Sequence, residues 1–432
     1  MMAASLLAVK EQGVRFTGLW RHPDFLKLWA GQTISAFGWV SLPVVAILAL
    51  EATPLQVTLL SLADLAPGLL IGLFAGVWVD RLRRRPILIV TDVGRALLLG
   101  TVPVAALLGR LHIEQLYLVA LLVSMLRVFF DVAYRAYLPA LLERGDLLEG
   151  NSKLQASGSV AEFTVSSLSG VLVQTLTAPI AILADAVSFL VSAFFIAIIR
   201  KPEAALAPAE DEQNTWREMT EGLRLLARDR LLRVVAVTTG LFNLFRAMVG
   251  VVIMLYVLRE LGLLPVIVWP LFAFGGISAF FAAALAGRIT RRLGVGRTLI
   301  GGLCVSGTAT FFIPLAGGPL ALIVVLLVGQ QLLGDGAATI YEINLVSLVQ
   351  SITPDRFQGR VNGSIRLMEW GAMLAGTFIG GVLGQAAGLR PVLLVAASGW
   401  LLSGVWLLFS PVRRLRELPS AAEKVGAAAL GR

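Results

Sequence analysis

Twelve apolar stretches of about 20 to 27 residues follow one another along the chain, most separated only by short polar joints. A helix rises 1.5 Å per residue, so about 20 apolar residues cross the ~30 Å hydrocarbon core of a bilayer. Hydrocarbon offers no partner to a backbone N–H or C=O, and runs of this length satisfy both within themselves only as helices. Spans are expected at about 24–49, 56–78, 86–108, 114–138, 153–175 and 178–199. A second set is expected at about 232–258, 264–288, 297–316, 319–345, 364–387 and 391–411. The predicted fold is an all-α membrane protein with twelve transmembrane helices.

Composition agrees with a chain solvated by lipid. Hydrophobic residues make up 57% and charged residues 15% of the sequence, and the mean hydropathy is +0.83. Soluble domains carry about a quarter charged residues. The single cysteine, Cys304, lies in an apolar run, so an internal disulfide and a cysteine metal cluster are both excluded. His22 and His112 fall outside the spans, and no phosphate-binding GxxxxGK[ST] loop occurs. The expectation is a non-enzyme with no metal or organic cofactor.

The net charge of +9 sits on alternate connections rather than on a nucleic-acid face, so no nucleic-acid partner is expected. Arg81, Arg83, Arg84, Arg85, Arg291, Arg292, Arg356 and Arg360 lie on one side, against Arg110, Arg259 and Arg390 on the other. The positive-inside rule then places both termini in the cytoplasm of a multi-pass protein of a bacterial cytoplasmic (inner) membrane. Residues 1–14 lack the pattern of a cleavable leader, and the first apolar helix is expected to direct insertion.

An offset of about 211 residues superimposes Gly76 on Gly287, Ile87-Leu88-Ile89 on Thr298-Leu299-Ile300, Asn151 on Asn362, and Gly170-Val171-Leu172 on Gly381-Val382-Leu383. One offset at distant places indicates a duplicated unit of six helices. The expected organisation is a first bundle over 1–199, a charged linker over 200–231, and a second bundle over 232–432 that ends in a short cytoplasmic tail. Such halves enclose a site between them near the midplane. Repetition stops at the chemistry: Asp80 falls on Arg291, and Glu162 on Met373. Within the linker, Trp216, Met219, Leu223 and Leu226 recur at helical spacing, which predicts an amphipathic helix on the inner leaflet.

The second span ends in Gly76-x-x-x-Asp80-Arg81-x-Arg83-Arg84-Arg85. Glycine permits a close helix approach, an aspartate here can meet a helix N-terminus across the seam between halves, and the arginines settle among lipid headgroups. This run resembles the signature loop of the major facilitator superfamily, with Arg83 where that loop usually has glycine. Arg21-His22-Pro23-Asp24-Phe25, Leu138-Pro139-Ala140-Leu141, Asn151 and Ala186-x-Ser188-Phe189 are similar to the branch containing enterobactin exporters and macrolide efflux proteins. The resemblance covers about the whole chain. It implies two pseudo-symmetric six-helix bundles, a gating role for Gly76, Asp80, Arg81, Arg84 and Arg85, and proton-driven export of amphipathic molecules.

Ionisable residues inside spans cost about 2.5–3.5 kcal/mol each on insertion scales and face protein or a watery cavity. Asp92 with Arg95 and Arg127 with Asp131 stand at i,i+3 and i,i+4, as local charge pairs or as gating and transport groups. Glu162 and Asp335 have no basic residue within a turn, which makes them the leading proton-coupling candidates, with Asp64 and Asp185 in reserve. The alternative reading of each is a satisfied packing residue. Family-like packing puts Gln32 and Trp39 of the first span, Phe242, Asn243, Phe245 and Arg246 of the seventh and Glu342 of the tenth around the cargo.

The expected function is a monomeric, proton-coupled exporter of drug-like or siderophore-like molecules, in contact with membrane lipid and powered by the proton gradient. A lipid or lysolipid flippase of the same fold is the main alternative. A solute importer and a non-transporting receptor are further ones.

Overall fold

The computed structural model describes residues 22–36, 42–80, 82–142, 177–201, 224–354 and 357–417, with Leu19, Asp146, Glu149, Gly150, Lys153, Leu154, Ser157, Gly158 and Ala161. Side chains at 73, 74, 76, 77 and 80 are outside that description. The first span contains α1 (Pro23–Ala36) and α2 (Leu42–Ala49), and it is followed by α3 (Pro54–Asp80), α4 (Arg84–Leu107), α5 (Ile113–Leu141) and α6 (Ala178–Ala197). The second half begins with α7 (Arg230–Leu255), prolonged by a π-turn at Tyr256–Glu260, then α8 (Pro265–Leu293) and α9 (Val295–Thr310). The tenth span is α10 (Leu320–Gln330), a π-turn at Gln331–Asp335 and α11 (Gly336–Ile352). Last come α12 (Gln358–Ala387), α13 (Leu389–Leu408) and a 3-10 turn at Pro411–Arg414.

Among the described residues, 10 helices are long and apolar enough to cross a membrane. Of the other two expected spans, the first has residues 37–41 outside the description, and most of the fifth lies outside it. The ends that are described have local causes. The Asp229 carboxylate accepts from Leu231 N at 2.8 Å and Leu232 N at 3.0 Å, capping α7. Pro265 opens α8, where the missing N–H is no loss. Gly294 and Gly388, at φ 85° and 91°, turn the chain between antiparallel helices in a conformation that other residues resist.

The duplication is exact at three helix starts. α8, α9 and α13 begin at Pro265, Val295 and Leu389, each 211 positions after Pro54, Arg84 and Ala178, which begin α3, α4 and α6.

Three hydrophobic cores show how the halves meet. One lies on the arginine-poor side and draws on both halves, packing Val45 and Ile47 with Val252, Tyr256 and Leu393. The other two lie on the arginine-rich side. One is built from Phe25, Leu88, Tyr137 and Ile196 of the first half, the other from Leu232, Leu299, Leu348 and Val361 of the second. The halves therefore share a core at one end and keep separate cores at the other.

The seam between α3 and α12 follows the same gradient. A Cβ on Gly381 would stand 1.6 Å from Thr58 Oγ1, and one on Gly68 would stand 2.4 Å from the Trp370 ring. Further toward the arginine-rich side, Gly72, Gly363 and Gly359 meet nothing within 4 Å. The space between the halves opens that way.

The linker departs from expectation where it is described. Trp216, Met219 and Leu223 lie outside the description, but Leu226 is buried in the second-half core instead of lying on the leaflet. Its helical turn, residues 224–228, directly precedes the cap of α7, which draws it against the bundle.

Candidate functional site

A cavity of about 730 Å³ lies between the halves. Its wall carries Asp64, Arg95, Arg127, Asp131 and Asp185 from the first half, with Gln32 and Ser61. The apolar remainder includes Leu65, Leu99, Val123, Phe130 and Phe189, faced from the second half by Ala247, Gly250, Val251, Met373 and Thr377.

The two local charge pairs separate into different kinds. Asp92 is fully buried and accepts from the Arg95 guanidinium, which also lies 4.3 Å and 4.2 Å from the ring centroids of Phe130 and Phe189. A pair so enclosed by α5 and α6 fixes helix packing. Arg127 and Asp131 are only loosely joined, at 4.0 Å, with side chains 60% and 55% exposed. Both lie on the cavity wall, where a cargo group can compete for either.

Asp64 lines the cavity from α3, and its main-chain carbonyl accepts from Ser124 Oγ of α5. Asp335 sits elsewhere, at the end of the π-turn between α10 and α11. Its carboxylate is hydrogen-bonded by the Gln330 side chain and presses on Gly275 of α8, where a Cβ would stand 2.3 Å from Oδ2. The 211-residue offset relates Asp64 to Gly275 and Ser124 to Asp335. Each half thus places one acid at the same helix crossing, on opposite partners. It also relates Asp131 to Glu342, and Glu342 is paired with Arg246 at 3.1 Å. The expectation that repetition stops short of the chemistry is corrected at one place only: Asp131 and Glu342 recur by position, while Asp64 and Asp335 do not, and Arg127 and Arg246 fall opposite Ala338 and Ser35.

Asp185 and Gln32 lie on the cavity wall as well, Asp185 being buried on α6. Glu162, Trp39 and Arg81 lie outside the described residues, as do the side chains at Gly76 and Asp80. Arg84 and Arg85 are described. Arg84 donates to Ala136 O at 3.3 Å, and Arg85 donates to Ile196 O at 3.2 Å and to Ala197 O. They bind carbonyls at the ends of α5 and α6, where helix dipoles leave negative charge.

The cargo face expected for the seventh span is corrected. Phe242 is 2% exposed, with ring centroids 5.3 Å from Tyr341 and 5.0 Å from Trp400, inside the second-half core. Phe245 fills the space left by Gly399 of α13, and Asn243 returns its amide to Thr239 O at 3.0 Å. The cavity face of α7 is Ala247, Gly250 and Val251. Arg246 and Glu342 are exposed beyond that lining.

Sequence reasoning missed Arg259. Its guanidinium reaches from the second half to Ala52 O at 2.8 Å and Ile47 O at 3.0 Å, bridging the halves on the arginine-poor side. It missed also the packing of α12 on α7, where a Cβ on Gly376 or Gly380 would strike Leu244 or Met248. The signal was present as glycines four residues apart.

Two bundles related by one offset, with a cavity at their junction, are the architecture described for a family whose sequence model, that of the Major Facilitator Superfamily, matches residues 28–377. The chain belongs to the Major Facilitator Superfamily. Among its relatives, the multidrug efflux pump Tap of Mycolicibacterium fortuitum is 29% identical over 412 residues, covering 91% of this chain and 94% of Tap. Macrolide efflux protein A of Streptococcus pyogenes is 26% identical over 211 residues, 48% of this chain and 52% of that protein. The fold is shared with the nucleoside transporter NupG, at a TM-score of 0.74 and 13% identity, over 89% of this chain and 98% of NupG. It is shared equally with an inward-facing bacterial homologue of ferroportin, at 0.73 and 18%, over 91% and 99%. The protein is thus a multi-pass membrane transporter with efflux pumps among its relatives.

Proposed function

We propose that the protein is a proton-coupled exporter of amphipathic small molecules that works by alternating access, with its arginine-rich side in the cytoplasm. The observation that carries this reading is the cavity wall. Asp64, Arg95, Arg127, Asp131 and Asp185 stand among apolar side chains, in a space that opens toward the arginine-rich side and is sealed at the other. An apolar wall with a few polar handles suits an amphipathic molecule. Acids held in a bilayer are costly as charges and shed that cost by taking a proton. The efflux activity named for Tap and macrolide efflux protein A favours export over import.

In this cycle cargo enters from the cytoplasm or inner leaflet and competes with Asp131 for Arg127. The halves rock, Arg259 releases the Ile47 and Ala52 carbonyls, and the cavity opens outward. Protonation of Asp64, with Asp335 at the equivalent crossing of the other half, resets the protein. Gly76, Asp80 and Arg81 act as the cytoplasmic latch, while Arg84 and Arg85 hold the helix ends around it.

The test is uptake of a macrolide and a cationic dye into inside-out proteoliposomes with an acidic lumen. The wild type is expected to accumulate cargo. Asp64→Asn is expected to lose gradient-driven accumulation and to keep cargo exchange without a gradient. Accumulation by Asp64→Asn at the wild-type rate removes Asp64 from coupling, and failure of the wild type to move either cargo removes the export reading.

A further inference from the structure

A second concave surface lies away from the cavity, on the outside of the second half. It is a groove of about 510 Å³ among α8, α9, the Gln331–Asp335 turn and α11. Its floor is made of small residues, Ala282, Gly301, Gly302, Gly336 and Ala337, and its walls include Phe281 and Leu333, which are 60% and 53% exposed. At Gly301 nothing lies within 4 Å of where a Cβ would stand, so the floor is open to a guest. Arg297, one turn before Gly301, lines the groove and also a second depression formed with Arg413 and Arg414.

That arginine cradle is built. Val295 N donates to Arg416 O at 3.2 Å and Gly296 N to Leu415 O at 2.9 Å, fastening the chain after α13 to the start of α9. Any side chain at 296 is excluded, since a Cβ would fall 2.0 Å from Val412 O. Ser410 caps the turn by accepting from Val412 N at 3.2 Å. Arg413 and Arg414 are thereby held beside Arg297, and none of the three has an ion pair among the described residues. The sequence on either side, residues 286–301 and 405–417, adds Arg288, Arg291, Arg292 and Arg416 against a single acid, Glu417.

We infer that this surface binds an anionic phospholipid of the leaflet on the arginine-rich side, its phosphate held by Arg297, Arg413 and Arg414 and an acyl chain laid in the groove. Charge selects the occupant. Guanidinium groups match a phosphodiester geometrically, and an apolar groove running directly from them matches the tail of the same molecule. A zwitterionic lipid brings an ammonium group into the arginine field and loses the advantage. The net positive charge of membrane loops accounts for arginines at this level, but not for a pinned tail, an obligatory glycine and a groove sharing one arginine.

Native mass spectrometry of the delipidated full-length protein, supplied with phosphatidylglycerol or phosphatidylcholine, tests the inference. Wild-type protein is expected to retain phosphatidylglycerol over phosphatidylcholine by about tenfold, a difference of about 1.4 kcal/mol. Two variants approach the site from different ends: Arg297→Gln with Arg413→Gln and Arg414→Gln removes the cradle, and Gly301→Leu fills the groove. Each is expected to bring phosphatidylglycerol down to the phosphatidylcholine level, measured on the monodisperse fraction so that misfolded protein does not enter. Equal retention of the two lipids by the wild type overturns the inference. So does a Gly301→Leu protein that keeps wild-type retention, because the arginines then act only as surface charge.

Discussion

At Gly275 the absence of a side chain makes room for a carboxylate from another helix, since a Cβ there would stand 2.3 Å from Asp335 Oδ2. The adjacent Gly276 meets nothing within 4 Å. Gly275→Ala is therefore expected to displace Asp335 and reduce gradient-driven transport as Asp335→Asn does, and Gly276→Ala to leave it near wild type. Initial rates of dye accumulation in proteoliposomes check both. Phe242 gives a contrasting prediction. Loss of a core phenylalanine costs about 3–5 kcal/mol, and the lower figure applies where the surroundings are apolar before folding as well. Phe242→Ala is expected to lower the thermal midpoint of the purified protein without altering its cargo preference, because the ring packs on Tyr341 and Trp400. Had the ring touched cargo, preference would change. Charge was a partial guide to individual residues: Asp64, Arg127, Asp131 and Asp185 reach the cavity wall, whereas Asp335, Arg246 and Glu342 do not line it. Aromatic residues misled, because a ring inside a span packs equally well against a neighbouring helix, lipid or cargo.

Among the described spans most helix limits were legible to within about three residues, because hydropathy falls sharply where a span leaves the bilayer. The exceptions are α8 and α11, which run on to Leu293 and Ile352, and α12, which starts early at Gln358, all on turns that carry polar residues. Which face of a helix meets the cavity was not. A helix at the surface of a soluble protein has one wet face to betray its orientation, but a membrane helix is apolar toward both lipid and protein. On α7 the expected face at Phe242 to Arg246 gives way to Ala247, Gly250 and Val251. π-turns add to this, because each inserts an extra residue per turn and rotates everything beyond it. The π-turn at Tyr256–Glu260 carries Arg259, whose two bonds to Ile47 O and Ala52 O tie the halves together. Arg259→Gln is expected to loosen that tie and raise the outward-open population. Spin labels on α2 and at the end of α7 should then show a longer distance component than in the wild type, and an unchanged distribution would remove Arg259 from the seam's closure. Gly381→Val, which drives a side chain into Thr58, should move the population the same way.

At the scale of the whole molecule, a shared core on one side and two separate cores on the other define a single open state. Alternating access requires the complementary state, and the pseudo-symmetry supplies a means to reach it, since helices of the two halves start at positions related by one offset. In the proposed cycle cargo and protons cross in opposite directions through this one cavity. Proteoliposomes containing the wild-type protein and a luminal pH indicator, with no pH gradient imposed at the start, test it most directly when a macrolide or dye is added outside. The lumen is expected to turn alkaline as cargo enters and protons leave, and Asp64→Asn is expected to abolish the change. A lumen that stays at its starting pH while cargo enters, or that turns acidic, would contradict the proposed cycle.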